Sequence, residues 1–257
     1  MTTRVFQTTY VDAEGRPSME ACVRASFEFC RSQGIGKVVL FTGSGEGAMF
    51  AVDHFLTRQD FASIQMVAVT PPAGKLYRST PGDDKSAIVS SGVQPARKDF
   101  LRDMGVPVIS AHMPFKVTIG SAPPAWSETA EAFGVLGGGF SLCVQAVLMA
   151  CDAGEVEMGE RVVAASADTS IVAIASRTEL FLAPHHGLLV EHIVCRPRRF
   201  NISKPHHVAL EGMGRFGTSD VLEGVATESV SQDFIDVEPT QVAQQLVLEA
   251  AEEDDDD

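Results

Sequence analysis

Hydrophobic positions in the first sixty residues predict two helices separated by a buried strand. Between residues 18 and 33 the apolar side chains recur at helical spacing, and the stripe ends at Gly34, a residue type that commonly closes helices. Residues 37–41, with the sequence KVVLF, form a short apolar run that indicates a buried strand. After a glycine-rich turn, a second helix is predicted from about residue 46 to residue 57.

The same alternation continues along the chain and predicts an α/β fold. Further strands are predicted at residues 64–69, 106–110, 161–165, 171–175 and 191–196. Helices are predicted over residues 95–104 and 140–153, and the second is apolar almost all round, which is typical of a central buried helix. Alternating strands and helices imply a mostly parallel sheet with helices on both faces.

The sequence pattern divides the chain into a domain of residues 1–198 and a C-terminal extension of residues 199–257. Periodicity weakens after Pro197, and a final amphipathic helix over about 239–253 leads into a tail of acidic residues. Within the domain, the stretch 70–95 is rich in Pro, Gly and Ser and is longer than an ordinary connection. Such a stretch is typical of a functional or mobile loop.

Composition and charge exclude several classes of function. The chain has 45% hydrophobic residues, as globular proteins do, and a net charge of −14 that repels nucleic acid and anionic membrane surfaces. Five cysteines without CxxC spacing indicate reduced core thiols of a cytosolic protein. The sequence begins without an apolar leader, and its most hydrophobic stretch, 141–151, is far shorter than the roughly 20 residues that span a bilayer. We therefore expect a cytoplasmic protein.

The loop after the strand 37–41 is a candidate anion site. Its residues are Thr42, Gly43, Ser44, Gly45, Glu46 and Gly47. Backbone N–H groups and the positive end of a helix favour phosphate at such a position. The loop lacks the Gly-Lys-Ser/Thr and GxGxxG patterns, which disfavours ATP hydrolysis and NAD binding. Alternatively the loop is a tight turn in which Ser44 caps the helix, and the carboxylate of Glu46 would compete with a bound phosphate.

A second glycine run precedes the predicted central helix. Gly137, Gly138, Gly139 and Ser141 would let the backbone approach a ligand closely, although a hinge or a close packing contact is the alternative. The carboxyl ends of parallel strands share one edge of a sheet, and small ligands bind there. We therefore expect both glycine loops to line one cleft.

Histidines supply one further candidate at the same edge. His112 lies just past the strand 106–110, where it would hydrogen-bond a ligand or the backbone. In an alternative enzymatic hypothesis it acts as acid or base with Asp168 as its partner. The adjacent histidines at 185–186 and 206–207 do not have chelating spacing, so no metal site is predicted.

Several segments resemble proteins related to the C-terminal domain of pyruvate kinase. The run from Gly137 that continues through MACDAG at 149–154 resembles that family's central helix, and EHIVCRPR at 191–198 resembles its closing strand. The loop 42–48 and the strand end 106–112 agree in their order along the chain. The resemblance covers about residues 3–198.

The resemblance implies a three-layer α/β/α fold with a mostly parallel mixed sheet and without a catalytic barrel, so kinase activity is not expected. In the parent enzyme the loop that corresponds to 42–48 holds the phosphates of a sugar-phosphate effector, and some stand-alone relatives hold flavin mononucleotide (FMN). A small phosphorylated molecule is therefore the expected partner, and FMN is a candidate cofactor. The chain departs from the family's pattern at Gly47, at Ser141 and at ASADT in 165–169, where expected phosphate donors are missing.

Three functional hypotheses follow from the sequence. The first is a small-molecule binding domain that holds a phosphorylated or flavin-type ligand without kinase activity. The second is an enzyme of unknown reaction that uses the same cleft with His112. The third is a non-catalytic scaffold subunit with a vestigial pocket, whose helix 239–253 packs on a partner or on a second copy in a homo-oligomer.

Overall fold

The computed structural model describes residues 5–72, 76–78, 88–90, 92–115, 128–129 and 132–200. Its strands are β1 (Thr9–Val11), β2 (Lys37–Phe41), β3 (Gln65–Thr70), β4 (Leu76–Arg78), β5 (Ile88–Ser90), β6 (Val108–Ser110), β7 (Arg161–Ala165), β8 (Ser170–Ile174) and β9 (Leu189–Pro197). The principal helices are α1 (Met19–Gln33), α2 (Glu46–Ala51), α3 (Pro95–Asp103) and α4 (Gly138–Asp152). The predicted helix 239–253 and the acidic tail lie outside these residues.

Seven of the described strands form one mixed sheet in the order β1-β9-β8-β7-β2-β3-β6. Only β8 is antiparallel to its neighbours, and the other pairs in this sheet are parallel. Helices α1, α2 and α3 pack on one face of the sheet, and α4 packs on the other. The predicted α/β fold with a mostly parallel mixed sheet and helices on both faces is confirmed.

Strand β2 is continuously apolar because both of its faces are buried. Val38 and Leu40 pack in the cluster formed with α1 and α2, whereas Val39 packs in the cluster formed with α4. Successive strand residues point to opposite faces, and both faces of this sheet are covered by helices. A polar residue within β2 would therefore lie in one of the two cores.

Helix α1 follows its predicted pattern closely. Cys22, Val23, Phe27 and Cys30 recur at helical spacing and are buried against the sheet. Gly34 ends the helix in the left-handed conformation, with φ of 63°, which a glycine adopts without steric cost. The boundary predicted from Gly34 is confirmed.

The second predicted helix, 46–57, changes its geometry halfway. The α-helical hydrogen bonding ends at Ala51, and a π-helical turn, Val52–Leu56, continues the helix. Within this turn Phe55 stacks on Phe27 with a ring-centroid distance of 4.7 Å. No sequence periodicity signals a single π-turn, so this change was not predicted.

Two short features depart from the predicted elements. Strand β1 has three residues, of which only Val11 is buried, and so leaves no apolar run in the sequence. Strands β4 and β5 form a two-stranded antiparallel hairpin inside the stretch 70–95, which the sequence analysis treats as a loop. Three-residue strands among Pro, Gly and Ser residues are too short for a periodic signal.

Burial of the cysteines predicts a specific loss of stability at alkaline pH. All five cysteines are buried and free, and burial raises the pKa of Cys30 from its ordinary 9.0 to about 12. A raised pKa in the folded state stabilises the protein below the unfolded pKa, and that contribution is lost as the pH rises towards the folded value. Above pH 9 the stability advantage of the wild type over Cys30→Ala should shrink by about 1.4 kcal/mol per pH unit.

Urea denaturation of both proteins between pH 8 and 10.5 measures this difference. Other alkaline titrations occur in both proteins and cancel in the comparison. If the difference in unfolding free energy between the wild type and Cys30→Ala stayed constant over this interval, the pKa of Cys30 would not be raised in the folded protein.

Candidate functional site

The parallel strands bring the predicted loops to one edge of the sheet. Strands β2, β3, β6 and β7 all end at this edge, and the antiparallel β8 begins there. The loops that follow these strands therefore lie side by side. This is the edge at which small ligands bind in open α/β sheets.

The loop after β2 forms a compact turn at the start of α2. Thr42 is buried, and its Oγ1 accepts a hydrogen bond from the Gly45 N–H at 3.0 Å. Gly45 has φ of 86°, a left-handed conformation that favours glycine. Ser44 is exposed and Gly43 is half-buried. Thr42 and Gly45 thus fix the conformation of the turn, and Ser44 is the residue of the turn that is exposed to solvent.

The residues after the turn, Glu46 and Gly47, have different roles. A Cβ on Gly47 would lie 3.5 Å from Leu40 Cδ2, so the glycine serves the close packing of α2 on β2. Glu46 Oε1 pairs with Arg16 Nη2 at 3.0 Å, and the Arg16 side chain is 81% exposed. Because an exposed pair contributes only about 0–1 kcal/mol, Glu46 is partly neutralised rather than fixed in place.

Arg97 is a cation at this loop that was not predicted from the sequence. It lies on α3, and its Nη1 donates to the backbone oxygen of Ser44 at 3.0 Å. The Gly92 N–H also donates to the Gly43 oxygen at 3.1 Å, which attaches the segment before α3 to the loop. More than fifty residues separate Arg97 from Ser44 along the chain, so only the tertiary structure places this charge.

The start of α4 lies on the opposite face of the sheet and already faces a carboxylate. A Cβ on Gly139 would overlap Asp168 Oδ1 and Thr169 Oγ1 and come within 2.7 Å of Ser166 Oγ. Asp168 Oδ2 accepts a hydrogen bond from the Gly15 N–H at 2.6 Å, and Oδ1 accepts one from Thr169 Oγ1 at 2.7 Å. A carboxylate is favourable at a helix N-terminus, where it meets the positive end of the dipole.

Ser141, in the first turn of α4, has partners within the protein. It is buried, and its Oγ and backbone oxygen both lie 3.3 Å from Gln145 Nε2. Gln145 Oε1 in turn accepts from the Phe115 N–H at 3.0 Å. That Ser141 contacts a ligand stays a prediction, and such a contact would have to compete with Gln145.

The other two glycines of the run differ from each other. Gly137 has φ of 105° and is buried, and a Cβ there would lie 3.7 Å from the ring of Phe200. The guanidinium of Arg196 lies 5.1 Å from the same ring centroid. Gly138 is exposed, and a Cβ there would meet no described residue within 4 Å. Gly138 is therefore the residue of this run that is most open to an approaching ligand.

His112 and Asp168 lie at the same edge of the sheet but far apart. His112 is exposed and follows β6, whereas Asp168 is buried and precedes β8. Four strand steps separate β6 from β8, which is about 19 Å at the usual strand spacing. The structure therefore does not bring the two residues together as an acid–base pair.

The described part of the chain contains neither a metal-binding cluster nor a helix that could span a membrane. No group of three or more His, Cys, Asp or Glu residues with the geometry to hold a metal ion occurs there. Among those same residues, every helix is too short or too polar to cross a membrane.

Comparison with known proteins yields a distant likeness of fold. No protein-family model and no curated protein matches the chain. Similar solved structures include a pyruvate kinase from Cryptosporidium parvum, with 13% identity over 60% of this chain and 22% of that chain and a TM-score of 0.31. The same organism's enzyme in complex with ADP matches with 14% identity over 70% and 24% of the two chains and a TM-score of 0.30.

The matched segments span only about a fifth to a quarter of those kinases. At such identities and TM-scores these matches carry no argument about ligand or reaction. The α/β fold is established by the sheet itself, and closer membership of the family that the sequence resembles stays a prediction.

Proposed function

We propose that the protein binds a small phosphorylated molecule, without kinase activity, at the loop Thr42–Gly47. The observation that carries this proposal is the position of Arg97, whose guanidinium lies against the backbone of Ser44 where α2 begins. A phosphate there would meet a cation, an exposed hydroxyl and the N–H groups of a helix start. Charge-assisted hydrogen bonds of this kind are roughly twice as strong as neutral ones.

The partial neutralisation of Glu46 supports the same assignment. A free carboxylate beside the loop would repel a phosphate dianion, but the ion pair with Arg16 offsets that charge. A bound phosphate can also compete for Arg16, because the pair is exposed and weak. Local charge at the loop thus favours an anion even though the whole chain carries −14.

The rest of the ligand would extend along the sheet edge from the loop. His112 follows β6, two strand steps from β2 or roughly 10 Å, which is within reach of the far end of a sugar phosphate or an FMN. Gly138 is the open residue on the α4 side. Gly139 is a poor anion contact, because the Asp168 carboxylate already lies against it.

The alternative hypotheses have weaker support. An acid–base enzyme that uses His112 lacks Asp168 as a partner, because the two residues lie about 19 Å apart across the sheet. The scaffold hypothesis depends on residues 239–253, which lie outside the described part of the chain.

The charge of Arg97 gives the direct test. Arg97→Met keeps the aliphatic stem, whose Cδ packs near Gly45, and removes the guanidinium. We expect the affinity for inorganic phosphate, a sugar bisphosphate and FMN to fall about 10- to 100-fold for each ligand that the wild type binds, as the loss of one charge-assisted bond implies. Titration calorimetry with full-length protein measures these affinities.

Arg102→Met is the matched control. It makes the same change of charge on the same helix, but Arg102 pairs with Asp99 on the exposed surface. Its affinities should equal those of the wild type. If the wild type binds none of the three probes, or if both variants bind equally well, the proposed site is wrong.

A further inference from the structure

Hydroxyl residues lie at or directly after the ends of three neighbouring strands at the candidate site. Thr42 follows β2, Thr70 ends β3 and Ser110 ends β6. Thr70 is the register partner of Ser110, and the pairing of Phe41 with Val69 places Thr42 beside Thr70 on the other side. At the usual strand spacing the three residues form a row about 10 Å long.

All three residues lie on the face of the sheet that α2 and α3 cover. The preceding residues of the same parity, Leu40, Ala68 and Val108, pack in the cluster on that face. Side chains two residues apart on a strand share a face. The hydroxyl row therefore lies on the same face of the sheet as the glycine loop at the start of α2 and Arg97 on α3.

The middle hydroxyl of this row lacks a partner in the part of the chain that the structure describes. Thr70 is 0% exposed, and among the described residues its Oγ1 has no hydrogen-bond partner. Its backbone oxygen accepts from the Ala111 N–H at 3.3 Å, so only the side chain is left unsatisfied. Buried hydroxyls are nearly always hydrogen-bonded, because burial without a partner is unfavourable. An unsatisfied hydroxyl at a ligand-binding edge points to a group supplied from outside.

We propose that Thr70 Oγ1 donates a hydrogen bond to a phosphoryl oxygen of the bound ligand, which makes Thr70 a binding residue at the base of the site. This inference rests on the proposed function, and it adds a neutral donor beneath the cationic loop. Since Thr70 is fully buried, a phosphoryl oxygen reaches its hydroxyl only when the residues that cover Thr70 move apart locally.

The substitution Thr70→Val separates a ligand contact from a structural role. Valine keeps the shape and removes only the hydroxyl. The variant should be at least as stable as the wild type without ligand, because the lost hydroxyl had no partner, yet it should bind inorganic phosphate about tenfold more weakly. Thr70→Ser retains the hydroxyl and should stay within about threefold of the wild-type affinity.

Thr178→Val is the matched control. Thr178 Oγ1 is also buried and without a partner among the described residues, but its backbone N–H donates to Asp152, at the far end of α4 and the opposite edge of the sheet. This variant should bind phosphate as the wild type does. Urea denaturation and calorimetric titration with inorganic phosphate supply the two measurements.

The possible results assign failure to different claims. If the wild type binds phosphate and Thr70→Val binds it equally well, the inference about Thr70 is wrong and the proposed function stands. A marked loss of stability in ligand-free Thr70→Val also overturns the inference, since it would reveal a structural partner. If the wild type binds no phosphate but binds the sugar bisphosphate or FMN, the donor to a phosphoryl oxygen is tested with that ligand under the same criteria. If it binds none of the three probes, the proposed function is wrong, and the inference that Thr70 contacts the ligand is wrong as well.

Discussion

Replacing Gly139 by alanine is expected to lower the free energy of unfolding by about 2 kcal/mol. The new Cβ would overlap two side-chain oxygens, those of Asp168 and Thr169, and would crowd Ser166. These short side chains are held by hydrogen bonds to one another, so none can move without breaking a bond. The cost of overpacking, about 1–3 kcal/mol, and of disturbed bonds should exceed the gain of about 1 kcal/mol in helix propensity.

Gly138→Ala is the control for this prediction. Gly138 lies in the same first turn of α4, but a Cβ there comes within 4 Å of no atom in the described part of the chain. The substitution should stabilise the protein by roughly 0.5–1 kcal/mol, because alanine reduces the conformational entropy of the unfolded chain. Urea denaturation measures both values. If the two substitutions changed the free energy of unfolding equally, Gly139 would not lie against the side chains of Asp168, Thr169 and Ser166.

Removing the carboxylate of Asp168 is expected to cost about 2–4 kcal/mol of stability. Asp168→Ala leaves the buried Thr169 hydroxyl and the partly buried Gly15 N–H without their acceptor, and an unsatisfied buried donor costs about 1–3 kcal/mol. The loss of a negative charge at the start of α4 adds to this cost. Since Gly15 adjoins Arg16, the bond to Asp168 also positions the cation that neutralises Glu46.

Two further variants define the role of Asp168. Asp168→Asn keeps one acceptor oxygen and should lose about half as much stability as Asp168→Ala. Asp152→Ala also removes an acceptor of a backbone N–H, that of Thr178, but at an exposed site, and it should cost less than about 1 kcal/mol. If Asp168→Ala lowered the free energy of unfolding no more than Asp152→Ala does, the hydrogen bonds that Asp168 accepts would not stabilise the fold as predicted.

The sequence predicted those elements that bury residues at a regular spacing. Helix α1 and strands β2 and β7 have the predicted bounds to within a residue, because each buries a clear stripe or an apolar run. Strand β1, the hairpin of β4 and β5, and the π-turn after α2 were not predicted. Each of them is too short for its residues to form a periodic pattern.

The candidate site was predicted only in part. Order along the chain placed the loop at 42–47, the strand end before His112 and the start of α4 at one edge, because parallel strands share their carboxyl ends. That the two glycine loops line one cleft stays a prediction, since α2 and α4 pack on opposite faces of the sheet. Arg97, Thr70 and the contact of Asp168 with Gly139 were missed. Each depends on neighbours that are far away in sequence.

Local sequence thus determined the α/β class, most helices and strands, and the glycine turn, because backbone preference and burial periodicity act between residues close in the chain. Only the tertiary structure decided the charge at the two helix starts. It placed the guanidinium of Arg97 beside Ser44, and it placed the carboxylate of Asp168 against Gly139. Electrostatic interactions depend on distance in space and not on separation along the chain. The two glycine runs are similar in sequence, but the folded sheet places a cation beside one and a carboxylate beside the other.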